Sequence, residues 1–265
     1  MSTQRYGAMF ARLEDAGEGA LGAFLMLGDP DLETSAELLD AAVEGGADML
    51  EVGIPFSDPV ADGPVIQAAA SRALEAGVTP DDCFDLIRQC REKHPHVPIG
   101  ILTYANLVAA KGREGFARAA AEAGADSLLV ADVPSIEAQP YADAARSAGI
   151  DPVFIAAPNS SAAAIERVSH LGSGYTYCVA RAGVTGQRSD MALDHDTLFS
   201  ALRSHGAPPP VLGFGISTSE QVRAGLDAGA AGVISGSAIV NAMAEADDPA
   251  AAVRSLVAEL KTGTR

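Results

Sequence analysis

Basic charge is what this sequence has least of. Its 35 Asp and Glu residues outnumber 18 Lys and Arg, leaving a formal net charge of −17, and Lys93, Lys111 and Lys261 are its only lysines. Nucleic acids and anionic membranes reward clustered Lys and Arg, so neither is expected as a partner. A small anion held at a local site stays open. Such an acidic surface speaks to solubility and salt tolerance rather than to fold.

Cysteine is scarce as well. Cys83, Cys90 and Cys178 are odd in number and widely spaced in a chain of 265 residues, which excludes a disulfide framework. No Cys-x-x-Cys or Cys/His cluster points to zinc, and no metal is expected. His94 and His96 flank Pro95 just ahead of Pro98, and they read as a loop before a strand. Long apolar runs are also missing: no stretch reaches the roughly 18 residues of a membrane span. The opening segment MSTQRYGAMFARLEDAG carries acids and no apolar signal-peptide core. A soluble cytoplasmic protein is the expectation.

What the chain does have is a large apolar fraction, 48%, which excludes a disordered sequence. It also has a repeat. EGGADMLEVGI (44–54), EAGADSLLVAD (122–132), SAGIDPVFIAA (147–157) and DAGAAGVISGS (227–237) share one grammar: a helical run ends in Ala/Gly-Gly, and a short linker leads into an apolar strand. Glycine just past a helix takes the left-handed turn that ends it. Apolar runs without strict alternation suit parallel strands covered by helices. Extending outward from these anchors predicts strands at 20–27, 48–54, 98–103, 127–132, 152–156, 175–180, 210–213 and 232–235. Helical runs fall at 35–45, 65–76, 80–93, 113–123, 135–148, 161–170, 194–205, 218–228 and, in pieces, 238–260, with an extra helix at 4–16. Eight β/α units point to an α/β fold, a single (β/α)8 TIM barrel over 1–265 with an extra N-terminal helix, for which about 250 residues is typical. An open doubly wound sheet is the rival, but no Gly-x-Gly-x-x-Gly follows the first strand.

Barrel chemistry belongs at the strand C-termini and the loops after them. In MLEVGI (49–54), alternation sends Leu50, Val52 and Ile54 to the helices and Met49, Glu51 and Gly53 to the interior. A carboxyl group inside is costly unless paired or neutralised, and a raised pKa suits acid–base work. The loop PFSDPVADGP (55–64) offers a second carboxylate, Asp58 or Asp62, and spacing does not choose between them. RAGVTG (181–186), GFGIS (213–217) and SGSA (235–238) end the late strands with glycine ahead of helix starts. Backbone N–H groups there suit a phosphate, and without a Walker motif the ligand is a phosphorylated small molecule. Phe24, Leu102, Tyr104, Tyr177 and Phe214 lie near strand C-termini, placed to line an apolar pocket over a flat ring.

Residues 50–67, LEVGIPFSDPVADGPVIQ, closely resemble the signature of the tryptophan synthase alpha chain family. The same holds, in family order, for Gly28-Asp29-Pro30, YANL (104–107), DVP (132–134), RAGVTG (181–186), GFGIS (213–217) and Gly236-Ser237. The resemblance implies retro-aldol cleavage of indole-3-glycerol phosphate to indole and glyceraldehyde 3-phosphate, a lyase step of tryptophan biosynthesis. It carries the catalytic role onto Glu51, as proton shuttle, and Asp62, which holds the ring N–H. Asp58 becomes part of the loop facing a beta chain. Amides near Gly186, Gly215, Gly236 and Ser237 are implied for the phosphate. Phe24, Leu102, Tyr177 and Phe214 would sandwich the indole, with Tyr177 also placing Glu51, and Thr185 would meet Asp62 when the site closes. No cofactor is expected in this chain; the partner beta chain of an alpha2beta2 heterotetramer carries pyridoxal phosphate. Met26-Leu27 before Gly28, Ala180 before Arg181 and QRSD (187–190) depart from the common pattern without touching the two carboxylates. The alternatives are a stand-alone lyase releasing free indole, a catalytically inactive barrel that activates the beta chain, and another phosphate-binding barrel enzyme such as an isomerase.

Overall fold

The computed structural model describes residues 4–179, 195–213 and 215–265. The described strands are β1 (Ala20–Met26), β2 (Met49–Gly53), β3 (Ile99–Thr103), β4 (Ser127–Val130), β5 (Asp151–Pro152), β6 (Phe154–Ala156), β7 (Thr176–Val179), β8 (Pro210–Gly213) and β9 (Gly232–Ser235). They form one parallel sheet in the order β5-β4-β3-β2-β1-β9-β8-β7-β6. β5 and β6 are two pieces of the fifth strand of the repeat, so the sheet curls into an eight-position barrel. Pro152 causes the split. It has no N–H to give β7, so pairing on that side begins only at Phe154, while Val153 still donates to Leu128 of β4 at 3.0 Å. The expected single strand at 152–156 is therefore two short ones, and the expected fourth strand stops at Val130 rather than at 132.

Helices α1 (Arg5–Ala16), α2 (Leu32–Glu44), α3 (Pro64–Glu75), α4 (Pro80–Lys93), α5 (Ala105–Lys111), α6 (Arg113–Ala123), α7 (Gln139–Ala148), α8 (Ala162–Leu171), α9 (His195–Ser204), α10 (Ser219–Asp227), α11 (Ser237–Glu245) and α12 (Pro249–Lys261) accompany the strands. Their starts are written in the sequence. Thr79 with Asp82, and Thr218 with Gln221, form capping boxes at the heads of α4 and α10. Gly124 and Gly149 close α6 and α7 in the left-handed conformation, as the repeat predicts, and Gly17 closes α1 in the same way. The seven-residue α5 was not expected, because it is too short to show a helical period.

Alternation along the strands divides the core into two shells. Leu21, Leu25, Leu50, Val52, Ile101, Cys178, Leu212 and Val233 face the helices. Phe24, Met26, Met49, Tyr175, Tyr177, Val211 and Ile234 fill the interior together with Tyr6 and Leu13 of α1. Carboxylates at the start of the strands then lock the base of the barrel. Buried Asp126 accepts from the Ile99 N–H at 2.8 Å, from Arg91 of α4 at 2.5 Å and from Arg5 of α1 at 2.8 Å. Asp48 does the same with the Leu21 N–H, Arg12 and Lys261. Four of the 18 basic residues, Arg5, Arg12, Arg91 and Lys261, thus fix α1, α4 and α12 to the strands.

Removing one partner of a buried, hydrogen-bonded charge pair typically costs about 3–5 kcal/mol. Asp126→Ala leaves the Ile99 N–H without its acceptor and takes the buried carboxylate from Arg91. It should lower unfolding stability in urea by about that amount, and a loss within about 0.5 kcal/mol, as for ordinary surface changes, would show that this lock is not needed.

Candidate active site

Strand β2 carries Glu51 to the middle of the barrel, between Phe24 of β1 and Gly100 of β3 in register. Its side chain is 2% exposed. Gly100 is what leaves space beside it. A Cβ there would come to 2.7 Å from Ser127 Oγ and 2.8 Å from the Tyr6 hydroxyl. Those two hydroxyls are themselves hydrogen-bonded at 2.9 Å. The Tyr175 hydroxyl donates to Glu51 Oε1 at 3.1 Å. Burial pushes the Glu51 carboxyl up to about 8; the Tyr175 hydrogen bond opposes this, and the nearby charge of Asp62 adds to it. A carboxylic acid that keeps its proton near neutral pH results.

Asp62 reaches the same space from the loop after β2. Two turns fold that loop back: Val60 N–H donates to Asp58 at 2.9 Å, and Asp62 N–H donates to Pro59 at 3.0 Å. Gln67 Nε2 then donates to the Asp62 carbonyl at 2.8 Å, and Gly63 and Pro64 begin α3. Arg72 on the same helix grips buried Asp29, after β1, with two bonds of 2.7 Å. Burial moves the Asp62 carboxyl up to about 6, against a hydrogen bond from Tyr104. Asp58 instead points to solvent, bonded to its neighbour Ser57 at 2.5 Å. Geometry therefore separates the two loop aspartates that spacing left open.

Glu51 and Asp62 line one cleft, a concave and mostly apolar space with a few polar groups converging on it, as small-molecule sites have. Phe24, Leu102 and Tyr177 form its apolar walls together with Ile66 and Ile234. Tyr177 lies so close over β8 that a Cβ on Gly213 would sit 2.1 Å from its hydroxyl, so only glycine fits there. At the far end are Gly215, Ser217, Gly236, Ser237 and Ala238. Gly236 begins α11 with no side-chain cap, which leaves the positive helix end to a ligand. Gly215 takes φ 81° and faces open space. The Ser217 and Thr218 amides are already taken by Gln221 Oε1, at 2.7 and 3.2 Å. Ser235 Oγ, bonded to the Ile216 carbonyl at 2.7 Å, ties the two anion-end loops together. Among the described residues lining the cleft there is no lysine or arginine.

Eight of the residues singled out from the sequence thus meet in one place: Phe24, Glu51, Asp62, Leu102, Tyr177, Gly215, Gly236 and Ser237. Thr185, Gly186 and Phe214 lie outside the described residues. Sequence reasoning passed over Tyr175, whose hydroxyl donates to Glu51 from two residues before Tyr177. One expectation needs correction. Tyr104 is not a cleft wall; it sits behind Asp62. Both were hidden because an interior tyrosine reads as ordinary core until its hydroxyl finds a partner. Among the described residues no group of three or more His, Cys, Asp and Glu is arranged for a metal. His94 instead meets Asp40 at 2.8 Å.

A family model described as the tryptophan synthase alpha chain matches residues 10–264. A tryptophan synthase alpha chain from Shewanella amazonensis is 52% identical over 258 residues, spanning 97% of this chain and 96% of that one. Another, from Aeromonas hydrophila, is 54% identical over 89% of this chain and 88% of its own length. Among solved structures, tryptophan synthase subunit alpha from Legionella pneumophila superposes with a TM-score of 0.88 at 30% identity, covering 99% and 98% of the two chains. A chain in a Mycobacterium tuberculosis tryptophan synthase structure gives 0.89 at 32% identity, with 98% of each covered. The carboxylate pair, the apolar walls and the uncapped helix end thus stand in a chain that belongs to the tryptophan synthase alpha chain family, the lyases that cleave indole-3-glycerol phosphate.

Proposed function

We propose that this cleft performs the retro-aldol cleavage of indole-3-glycerol phosphate, with Glu51 and Asp62 as its catalytic residues. The observation that carries the reading is a protonated, buried Glu51 facing the same cleft as a more acidic Asp62. Two carboxyl groups whose environments push their pKa values apart divide acid and base roles between them.

The phosphate docks on amides around Gly215 and at the head of α11, and the indole ring lies between Phe24, Leu102 and Tyr177. Asp62, ionised, accepts the ring N–H. Glu51 gives its proton to C3 of the ring, and the positive charge that develops at the ring nitrogen is stabilised by Asp62. Glu51, now a carboxylate, takes the proton of the side-chain hydroxyl. The oxygen closes to an aldehyde as the bond to C3 breaks, and those electrons restore the neutral ring. Indole and glyceraldehyde 3-phosphate result, and Glu51 ends protonated as it began. Glu51 and Asp62 supply every proton movement and charge contact, so no cofactor is assigned to this chain. We read residues 1–265 as one functional unit. The partner is a beta chain in an alpha2beta2 assembly, carrying pyridoxal phosphate and taking up the indole. No helix among the described residues is long and apolar enough to cross a membrane, and we place the protein in the cytoplasm.

Indole release from indole-3-glycerol phosphate tests the activity. Turnover should rise strongly when a beta chain is added, whereas an unchanged rate with no complex on a sizing column would favour a stand-alone lyase. Glu51→Gln should abolish cleavage with the fold kept. The same variant has a stability signature. Glu51's folded value lies above its unfolded one, so its contribution to stability falls as pH rises from about 4.5 to about 8. The melting temperature of Glu51→Gln should therefore gain on that of the natural chain across this window, and parallel curves would show that Glu51 is not held protonated.

Activity needs Asp62 ionised and Glu51 protonated. The profile of kcat/KM for the free enzyme should be a bell with limbs near about 6 and about 8. Asp62→Asn should be severely impaired and lose the acidic limb; a retained acidic limb would remove Asp62 from that role.

A further inference from the structure

Behind Asp62, on the side away from the cleft, Tyr104 makes three contacts with the loop that carries it. Its hydroxyl accepts the Ala61 N–H at 3.2 Å. The same hydroxyl lies near the carboxylate of the next residue, Asp62, with its proton available to it. Its ring stacks on Phe56, with centroids 5.4 Å apart and planes 29° apart. Tyr104 itself is 2% exposed and stands immediately ahead of α5. That helix start is tied to the end of the neighbouring strand, because Asp132 accepts the Ala105 N–H at 2.8 Å. One side chain, fixed by β3, β4 and α5, thus touches the loop at its beginning, its middle and its carboxylate.

We propose that Tyr104 is a positioning residue for the cleavage: its hydroxyl holds the Asp62 carboxylate in the orientation that receives the ring N–H. This rests on the role proposed for Asp62 above. A hydroxyl can donate one proton. The Ala61 N–H occupies an oxygen lone pair of Tyr104, which leaves its proton for Asp62. A carboxylate fastened on one oxygen keeps the other for a ligand, and a donor to the charged form favours ionisation. The other titratable groups near Asp62 are Glu51 of β2, whose proton makes it neutral, and Tyr177 of β7, also neutral. Burial first, and then the negative charges of Asp62 and Asp132, keep the proton on Tyr104.

Tyr104→Phe keeps the ring on Phe56 and removes only the hydroxyl. Loss of a hydrogen bond to a charged group should lower kcat/KM about 10-fold to 100-fold and move the acidic limb of the pH profile above its natural position near about 6. In an Asp62→Asn background the same change should cost little more. A native rate, or a slower enzyme whose acidic limb has not moved, would overturn the proposal. Nuclear magnetic resonance titration of the Asp62 carboxyl gives a reading independent of turnover. Its midpoint should be higher in Tyr104→Phe, and an unchanged midpoint overturns the proposal even if the chain releases no indole, an outcome that would instead refute the assigned reaction. Should the phenylalanine variant fail to fold, fluorotyrosine at position 104 makes the hydroxyl a stronger donor and should move the limb and the midpoint downward; no movement again overturns the proposal.

Discussion

Keeping a carboxyl group dry in the middle of a parallel barrel is the constraint around which the rest of this structure is arranged. Glu51 lies on the inner face of β2 because side chains alternate, and its neighbours in register are Phe24 and Gly100. An ionised carboxylate there would be poorly solvated, and one tyrosine hydroxyl does not make up the difference. Keeping its proton is the cheaper state. That cost to the fold is also the asset of the site, since it stores an acid at neutral pH beside a ring that must be protonated. Asp62 differs only in degree. It is nearer the mouth of the barrel and has a hydrogen-bond donor behind it, so it gives up its proton first.

The distribution of positive charge follows the same logic. Arg5, Arg12, Arg91 and Lys261 are bound to carboxylates at the base of the barrel, and Arg72 is bound to Asp29 next to the catalytic loop. These pairs hold α1, α3, α4 and α12 in place and so fix the frame of the site. At the other end of the cleft stand glycine-rich backbone and the uncapped start of α11. The docking proposed there for a phosphate relies on backbone amides, so it is compatible with a net charge of −17 and with no basic side chain among the described lining residues.

Much of this was legible in the residues. Helix-ending glycines and apolar runs such as LEVGI announced the eight units, and an acid in an apolar strand announced Glu51. What escaped depends on where atoms meet rather than on pattern. Pro152 interrupts pairing on one side only, which splits the fifth strand. Tyr175 reads as core, and that its hydroxyl meets Glu51 is a matter of its depth in the barrel. Asp58 and Asp62 are alike as turn residues, and the resemblance of residues 50–67 to a known family, not their spacing, separated them before the fold did. Tyr104 looked like a wall because its place at the end of a strand says nothing about what lies between it and the cleft.

The central claim is that the resting enzyme carries a neutral Glu51 at neutral pH. An infrared difference spectrum between the natural chain and Glu51→Gln, taken at pH 7 and again above the value of about 8, observes that proton directly. The account requires the band of a protonated, weakly hydrogen-bonded carboxylic acid at the lower pH, replaced by carboxylate bands at the higher. Carboxylate bands already present at pH 7 would contradict it.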